Sequence, residues 1–248
     1  MTRQTLKHGT LAGLAGGIAL AAVLYLLGEA PLGRAVAAEA ASGAGTAAPL
    51  FGRGAQQAGG GLAAVLYGAA LGAVFAVVFA AVRPRLRITG DWKSSMALAG
   101  VGLVTVFVVP FLHFPPNPPT VGDPETIGRR TLLFVAALGW SVVATWATWR
   151  LWRALEGRSP ALDVSRRAPV TAVAYVALVA FGLALLPSTS EVIELPAGLI
   201  WQFRLASLGG AVALWTVLGC TFGWLAAGGP AGGDPVRPRP GGGRRSVA

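Results

Sequence analysis

The sequence predicts an all-α protein, a polytopic membrane helix bundle of about six transmembrane helices in three hairpins, with both termini cytoplasmic. Three observations carry that prediction. Hydrophobic residues are 54% of the 248 and charged residues only 12%, about half the charged share of a soluble domain. Six stretches, 10–28, 60–82, 95–112, 131–149, 170–187 and 205–227, contain no Asp, Glu, Lys or Arg. Each has about the 17–25 residues that cross a ~30 Å hydrocarbon layer as a helix. Finally, charge alternates between connections. The amino-terminal segment, the second and fourth connections and the tail hold 15 Lys and Arg, the remaining three connections only 5. Acids run the other way, four against six. The positive-inside rule therefore puts the basic set in the cytoplasm.

This placement also accounts for the net charge of +10. In a soluble protein such a charge would suggest nucleic acid. Here the basic rim faces anionic membrane lipid, and no nucleic-acid partner is expected.

The first span follows Arg3 and Lys7 and carries Gly9, Gly13 and Gly17, a flat strip that lets another helix approach closely. With Ala38-Glu39-Ala40 behind it, this start also resembles a secretory signal. Its apolar run of 19 residues exceeds the roughly 7–15 of a signal core, so a retained span is expected. Loop one, 29–59, supplies Glu29, Arg34, Glu39 and Arg53. Span two repeats the small-residue spacing at Gly68 and Gly72, and Arg83, Arg85 and Arg87 follow it.

Span three leaves the membrane through the most distinctive segment of the chain. His113 is followed by Asn117 between Pro115-Pro116 and Pro118-Pro119, which favours a stiff, extended backbone. Asp123-Pro124-Glu125 reads as a helix start, with a capping side chain, a proline and a first-turn acid. Span four should therefore begin near Pro124, with Arg129 and Arg130 at the outer interface. A second basic connection, 150–167, leads to span five. The next loop repeats the earlier logic: Glu191 and Glu194, then Pro196, then Arg204 at the mouth of a helix. Span six carries Gly219 and Gly223. Trp92, Trp149, Trp152 and Trp224 mark the inner interface and Trp201 the outer one, as amphipathic aromatics do. Residues 1–227 thus form one transmembrane domain, and the Gly-, Pro- and Arg-rich tail 228–248 is expected to be disordered in the cytoplasm.

The chemistry left open is narrow. No Cys-x-x-Cys, His-Glu-x-x-His or Gly-Lys-Ser/Thr motif occurs, so a zinc-type site or a nucleotide-phosphate loop has no basis here. The single cysteine, Cys220, reads as a small buried packing residue. No enzyme activity and no catalytic residue are expected. Each outer hairpin sets acids ahead of an arginine at a helix mouth. Such an arginine opposes the positive-inside trend and implies a partner: a carboxylate that clamps the loops together, or a substrate. His113 with Asp123, Glu125, Glu191 and Glu194 would make a loose mixed nitrogen and oxygen set suited to Co²⁺ or Ni²⁺. Alternatively, His113 is an interfacial residue ending span three.

Three segments resemble the CbtA-type cobalt-transporter subunit family. The first joins Asn117-Pro118-Pro119, Val121-Gly122-Asp123-Pro124 and Ile127-Gly128-Arg129-Arg130. The second runs from Leu186-Pro187 through Glu191-Val192 and Leu195-Pro196-Ala197 to Trp201-Gln202-Phe203-Arg204. The third is looser: Gly28-Glu29, Arg34-Ala35, Glu39, Arg53, Gln56 and Tyr67-Gly68. The resemblance implies a multi-pass component of bacterial cobalt uptake in the cell membrane, with cobalt ion as substrate and no tightly bound cofactor. It also implies a small His-rich single-span partner of the CbtB type. The family pattern has about five spans and more acids in loop one, where this chain has alanine and glycine. A non-transporting membrane scaffold or assembly protein, or a permease subunit for another small solute, is the alternative.

Overall fold

Six helices in the computed structural model are long and apolar enough to cross a membrane. They are α1 Arg3–Ala38, α2 Arg53–Arg85, α3 Asp91–His113, α4 Ile127–Glu156, α5 Val164–Leu185 and α6 Ala197–Ala226. The structure describes residues 2–42, 51–118, 124–158, 164–187 and 195–228, and none of these is in a strand. Most of tail 228–248 lies outside them.

Local chemistry sets the helix starts. The Thr2 side chain accepts the Thr5 backbone N–H at 3.2 Å and caps α1. Gly90, at φ 86°, makes the reversal before α3 in a conformation that favours glycine. Asp91 then opens the helix and accepts from Arg83 Nε at 2.6 Å, tying α2 to α3. Pro196 sits immediately before α6.

The glycine strips do what their spacing predicts. Gly9, Gly13 and Gly17 of α1 face Ala64, Gly68 and Gly72 of α2 backbone to backbone. A Cβ on Gly17 would stand 2.8 Å from Val65 Cα, and one on Gly68 would stand 2.6 Å from Gly17 Cα. Gly219 and Gly223 likewise admit Met96, Ala99, Trp92 and Ser95 of α3 against α6. There Ser95 Oγ donates to Gly219 O at 2.7 Å. Cys220 is half-buried rather than fully enclosed, its Sγ 3.5 Å from Met96 Sδ.

The packing centres on α6. It lies against α1 and α3, and 44% of its apolar window is buried, against 17–28% for the other five. Phe75 and Phe79 of α2 meet Phe222 of α6 edge to face at 5.2 and 4.8 Å between ring centroids, a favoured aromatic geometry. Trp215 of α6 is buried beside them. It is a core residue, unlike Trp92, Trp201 and Trp224, which are exposed. The chain order makes three hairpins, but α5 packs against α4 and α6 against α1 and α3. The reason lies in the surfaces: α6 presents glycines and aromatics that fit the first three helices. The bundle is therefore a tight unit of α1, α2, α3 and α6 flanked by α4 and α5. Large apolar side chains such as Leu26, Leu66, Leu132, Val173 and Phe181 remain exposed around it, the surface that hydrocarbon covers in a membrane.

Helices outrun their apolar segments. After a π-helical turn at Leu24–Gly28, the backbone continues as α-helix through Glu29–Ser42. Glu29, Arg34 and Glu39 thus lie on a helix and not in an open loop. The alanine-rich run 35–41 holds helix well, whereas hydropathy registers only where hydrocarbon-compatible sequence stops.

Candidate outer-end site

Charges gather at the two ends of the bundle. At the end carrying Arg3, Arg87 and Arg167 each approach Glu156, at 2.8 and 3.6 Å. Arg153 Nη1 donates to Arg85 O at 3.2 Å. Arg167 also lies over the Trp152 ring at 5.8 Å, a cation–π distance.

The opposite end holds the residues that the sequence singles out. Arg53, the first residue of α2, pairs with Glu29 at 2.6 Å, and Gln57 Nε2 donates to the same Glu29 oxygen at 3.0 Å. One carboxylate thereby joins the emerging ends of α1 and α2. Arg34 donates to Gln202 Oε1, linking α1 to α6. Arg204 donates through Nη2 to Asn117 Oδ1 at 2.9 Å, linking α6 to the proline segment after α3. Pro110 and Pro118 are fully buried on either side of His113. The His113 ring stands edge-on to Phe114 at 4.6 Å. Its Nε2 and the Nε of Arg204 are buried without a hydrogen-bond partner among the described residues.

The structure thus brings Glu29 to Arg53, Arg34 to Gln202 and Arg204 to Asn117. Among the described residues, Arg204 meets an amide, not a carboxylate. Arg129 is exposed and Arg130 half-buried at the start of α4; Glu125 is exposed in the short turn Pro124–Thr126 before it. Pro119, Gly122, Asp123, Glu191 and Glu194 lie outside the described residues. No group of three His, Cys, Asp or Glu side chains converges among the described residues. His113 brings one nitrogen donor, and no pair of His, Cys, Asp or Glu side chains joins it among the described residues. Gln57 carries no sequence signal of its own, and Gln202 stands out only as part of the stretch Trp201-Gln202-Phe203-Arg204. Their signal was weak, because a neutral amide becomes informative only when its partner is known.

A second polar group lies within the spans, where charge patterning gives no hint. Thr105 of α3 and Thr145 of α4 share a 2.8 Å hydrogen bond. Trp140 of α4 donates from Nε1 to Leu178 O of α5 at 2.8 Å. Ser141, Thr148 and Tyr175 each bury a hydroxyl without a partner among the described residues.

A family model, the probable cobalt transporter subunit CbtA, matches residues 2–227. No curated protein and no solved structure matches the chain.

Proposed function

The chain belongs to the CbtA family of probable cobalt transporter subunits, and from that premise we propose that it forms the membrane-spanning part of a cobalt uptake system in the bacterial cell membrane. Both termini lie in the cytoplasm, and the end bearing Glu29, His113 and Arg204 faces outward. The family match over nearly the whole chain carries this reading, and six apolar helices with charge confined to their ends support it. Cobalt ion is the substrate. Asp123, Glu125, Glu191 and Glu194 draw the cation to the mouth, where His113 offers one imidazole nitrogen. Nitrogen and carboxylate ligands suit Co²⁺. The remaining ligands come from a small His-rich single-span partner of the CbtB type, consistent with the word subunit in the family's description. That description also suggests a role without catalysis.

Accumulation of labelled Co²⁺ tests the reading directly. Cells with this chain and its partner should take up more than cells with either alone. Equal uptake in all three would overturn it. A reporter fused after Ala248 should be active only in the cytoplasm, as the distribution of 15 basic residues against 5 requires.

A further inference from the structure

The two parts of the bundle treat their polar groups differently. Where α1, α2, α3 and α6 meet, the interior is glycine, alanine, leucine and aromatic, and the buried Ser95 hydroxyl is bonded to Gly219 O. Where α3, α4 and α5 meet, hydroxyls collect. Of the five buried side-chain polar atoms without a partner among the described residues, four belong to this second interface: His113 Nε2, Ser141 Oγ, Tyr175 OH and Thr148 Oγ1. Leaving such a group unpaired costs about 1–3 kcal/mol, so four together are too many to dismiss as packing accidents.

Their order along the membrane is regular. Ser141, Thr145 and Thr148 are spaced i, i+4 and i+7, which places them on one face of α4. Ser141 has no exposed surface and Thr105 only 7%. The Thr105–Thr145 bond sets the antiparallel register of α3 and α4. Four residues on, Val109 lies about level with Ser141; four more bring His113 level with Ala137. Tyr175 of α5 packs against the cluster of Val109, Ala144 and Val179. From the level of Ala137 to that of Thr148 is about 16 Å at 1.5 Å per residue, roughly half the hydrocarbon thickness.

The backbone of α3 adds a further oxygen. Residues Leu103–Val108 form a π-helical segment, in which the Val109 N–H donates to Val104 O, five residues back. In that register the donor for Thr105 C=O would be residue 110, and Pro110 has no N–H. Distorted helix of this kind is tolerated at membrane depth where it is enclosed by protein or lines a wet path, and π-bulges recur at functional sites.

We propose that the α3–α4–α5 interface is an internal hydrated file, running from His113 past Ser141, Tyr175 and the Thr105–Thr145 pair to Thr148, along which a divalent cation passes with water still bound. Hydroxyl and carbonyl oxygens accept hydrogen bonds from metal-bound water and so help keep the ion's charge solvated. No carboxylate or thiolate stands along the file to trap it. Val109, Ala144 and Val179 pack alongside, so the file takes waters singly and is no open pore. The identity of the cation rests on the functional reading above; the hydration of the file does not.

Cysteine accessibility in the full chain separates the two. In a Cys220→Ala background, Ser141→Cys and Thr148→Cys each introduce a single thiol close in size to the side chain replaced. Val143→Cys, at a position 51% exposed on the bundle surface, is the lipid-facing control. Silver ion travels in water and reacts with the ionised thiol, which hydrocarbon suppresses. Ser141→Cys and Thr148→Cys should be blocked at least roughly tenfold faster than Val143→Cys, and excess Co²⁺ should slow the blocking. A Ser141→Cys thiol that reacts no faster than Val143→Cys overturns the file. Fast blocking without protection by Co²⁺ supports the file and counts against cobalt as its cargo.

Discussion

Arg53 and Glu29 stand 24 positions apart and meet at 2.6 Å where α1 and α2 emerge from the bundle. The carboxylate also accepts from Gln57, so one side chain holds two points of α2. Their side chains are 36% and 26% exposed, between the limits of a solvated surface pair and a buried one. Glu29→Gln and Arg53→Gln should each lower resistance to thermal inactivation in detergent. The double variant should lose less than the sum of the two, with a coupling on the order of 1 kcal/mol. Strict additivity would mean that the pair contributes no interaction.

The close approach of α1 and α2 leaves no room for side chains. Gly68→Leu should cost on the order of 3 kcal/mol, because the added atoms meet backbone and not a flexible side chain. The variant should be depleted from membranes, whereas Gly59→Leu, where a Cβ meets nothing within 4 Å, should accumulate normally. Equal abundance of the two would show that α1 and α2 do not pack this way in the cell.

At the basic end, Arg85, Arg150 and Arg153 pair with no carboxylate among the described residues, unlike some of their neighbours. Arg83 has Asp91, while Arg87 and Arg167 share Glu156. Arg85, Arg150 and Arg153 instead line one cavity of about 400 Å³ beside Trp149. Basic pockets of this kind attract anionic headgroups. Purified protein should be stabilised by vesicles rich in anionic lipid, and replacing all three arginines with glutamine should remove most of that gain. A gain unchanged by the replacement would place lipid binding elsewhere.

At the end of the bundle bearing Glu29 and His113, the Asn117 amide already partners Arg204. Neutralising Glu191 and Glu194 together should therefore leave membrane abundance near normal and lower cobalt uptake several-fold at limiting metal. Loss of abundance instead would mean that these acids clamp the arginines, since an uncompensated charge near hydrocarbon costs a few kcal/mol. Protein level and uptake measured in the same cells decide between the two.

The sequence by itself determined the class of the protein, the number of its apolar helices and the sorting of its charges. Hydrocarbon imposes a length and a composition on each span independently of its neighbours, so those features can be read one segment at a time. Glycine spacing likewise marked the faces of α1, α2 and α6 that pack closely. Tertiary structure decided which helices are neighbours. Mean hydropathy runs from 1.6 to 2.4 across the spans and does not mark α6, at 1.7; shape distinguishes it, with Trp215, Phe222, Gly219 and Gly223, as the centre. It also decided that Arg204 meets Asn117 and that Ser141, Thr148 and Tyr175 gather at one interface. An isolated serine or threonine in a span is unremarkable because its own helix can satisfy it. It acquires meaning only when the fold leaves its hydroxyl buried beside others without partners.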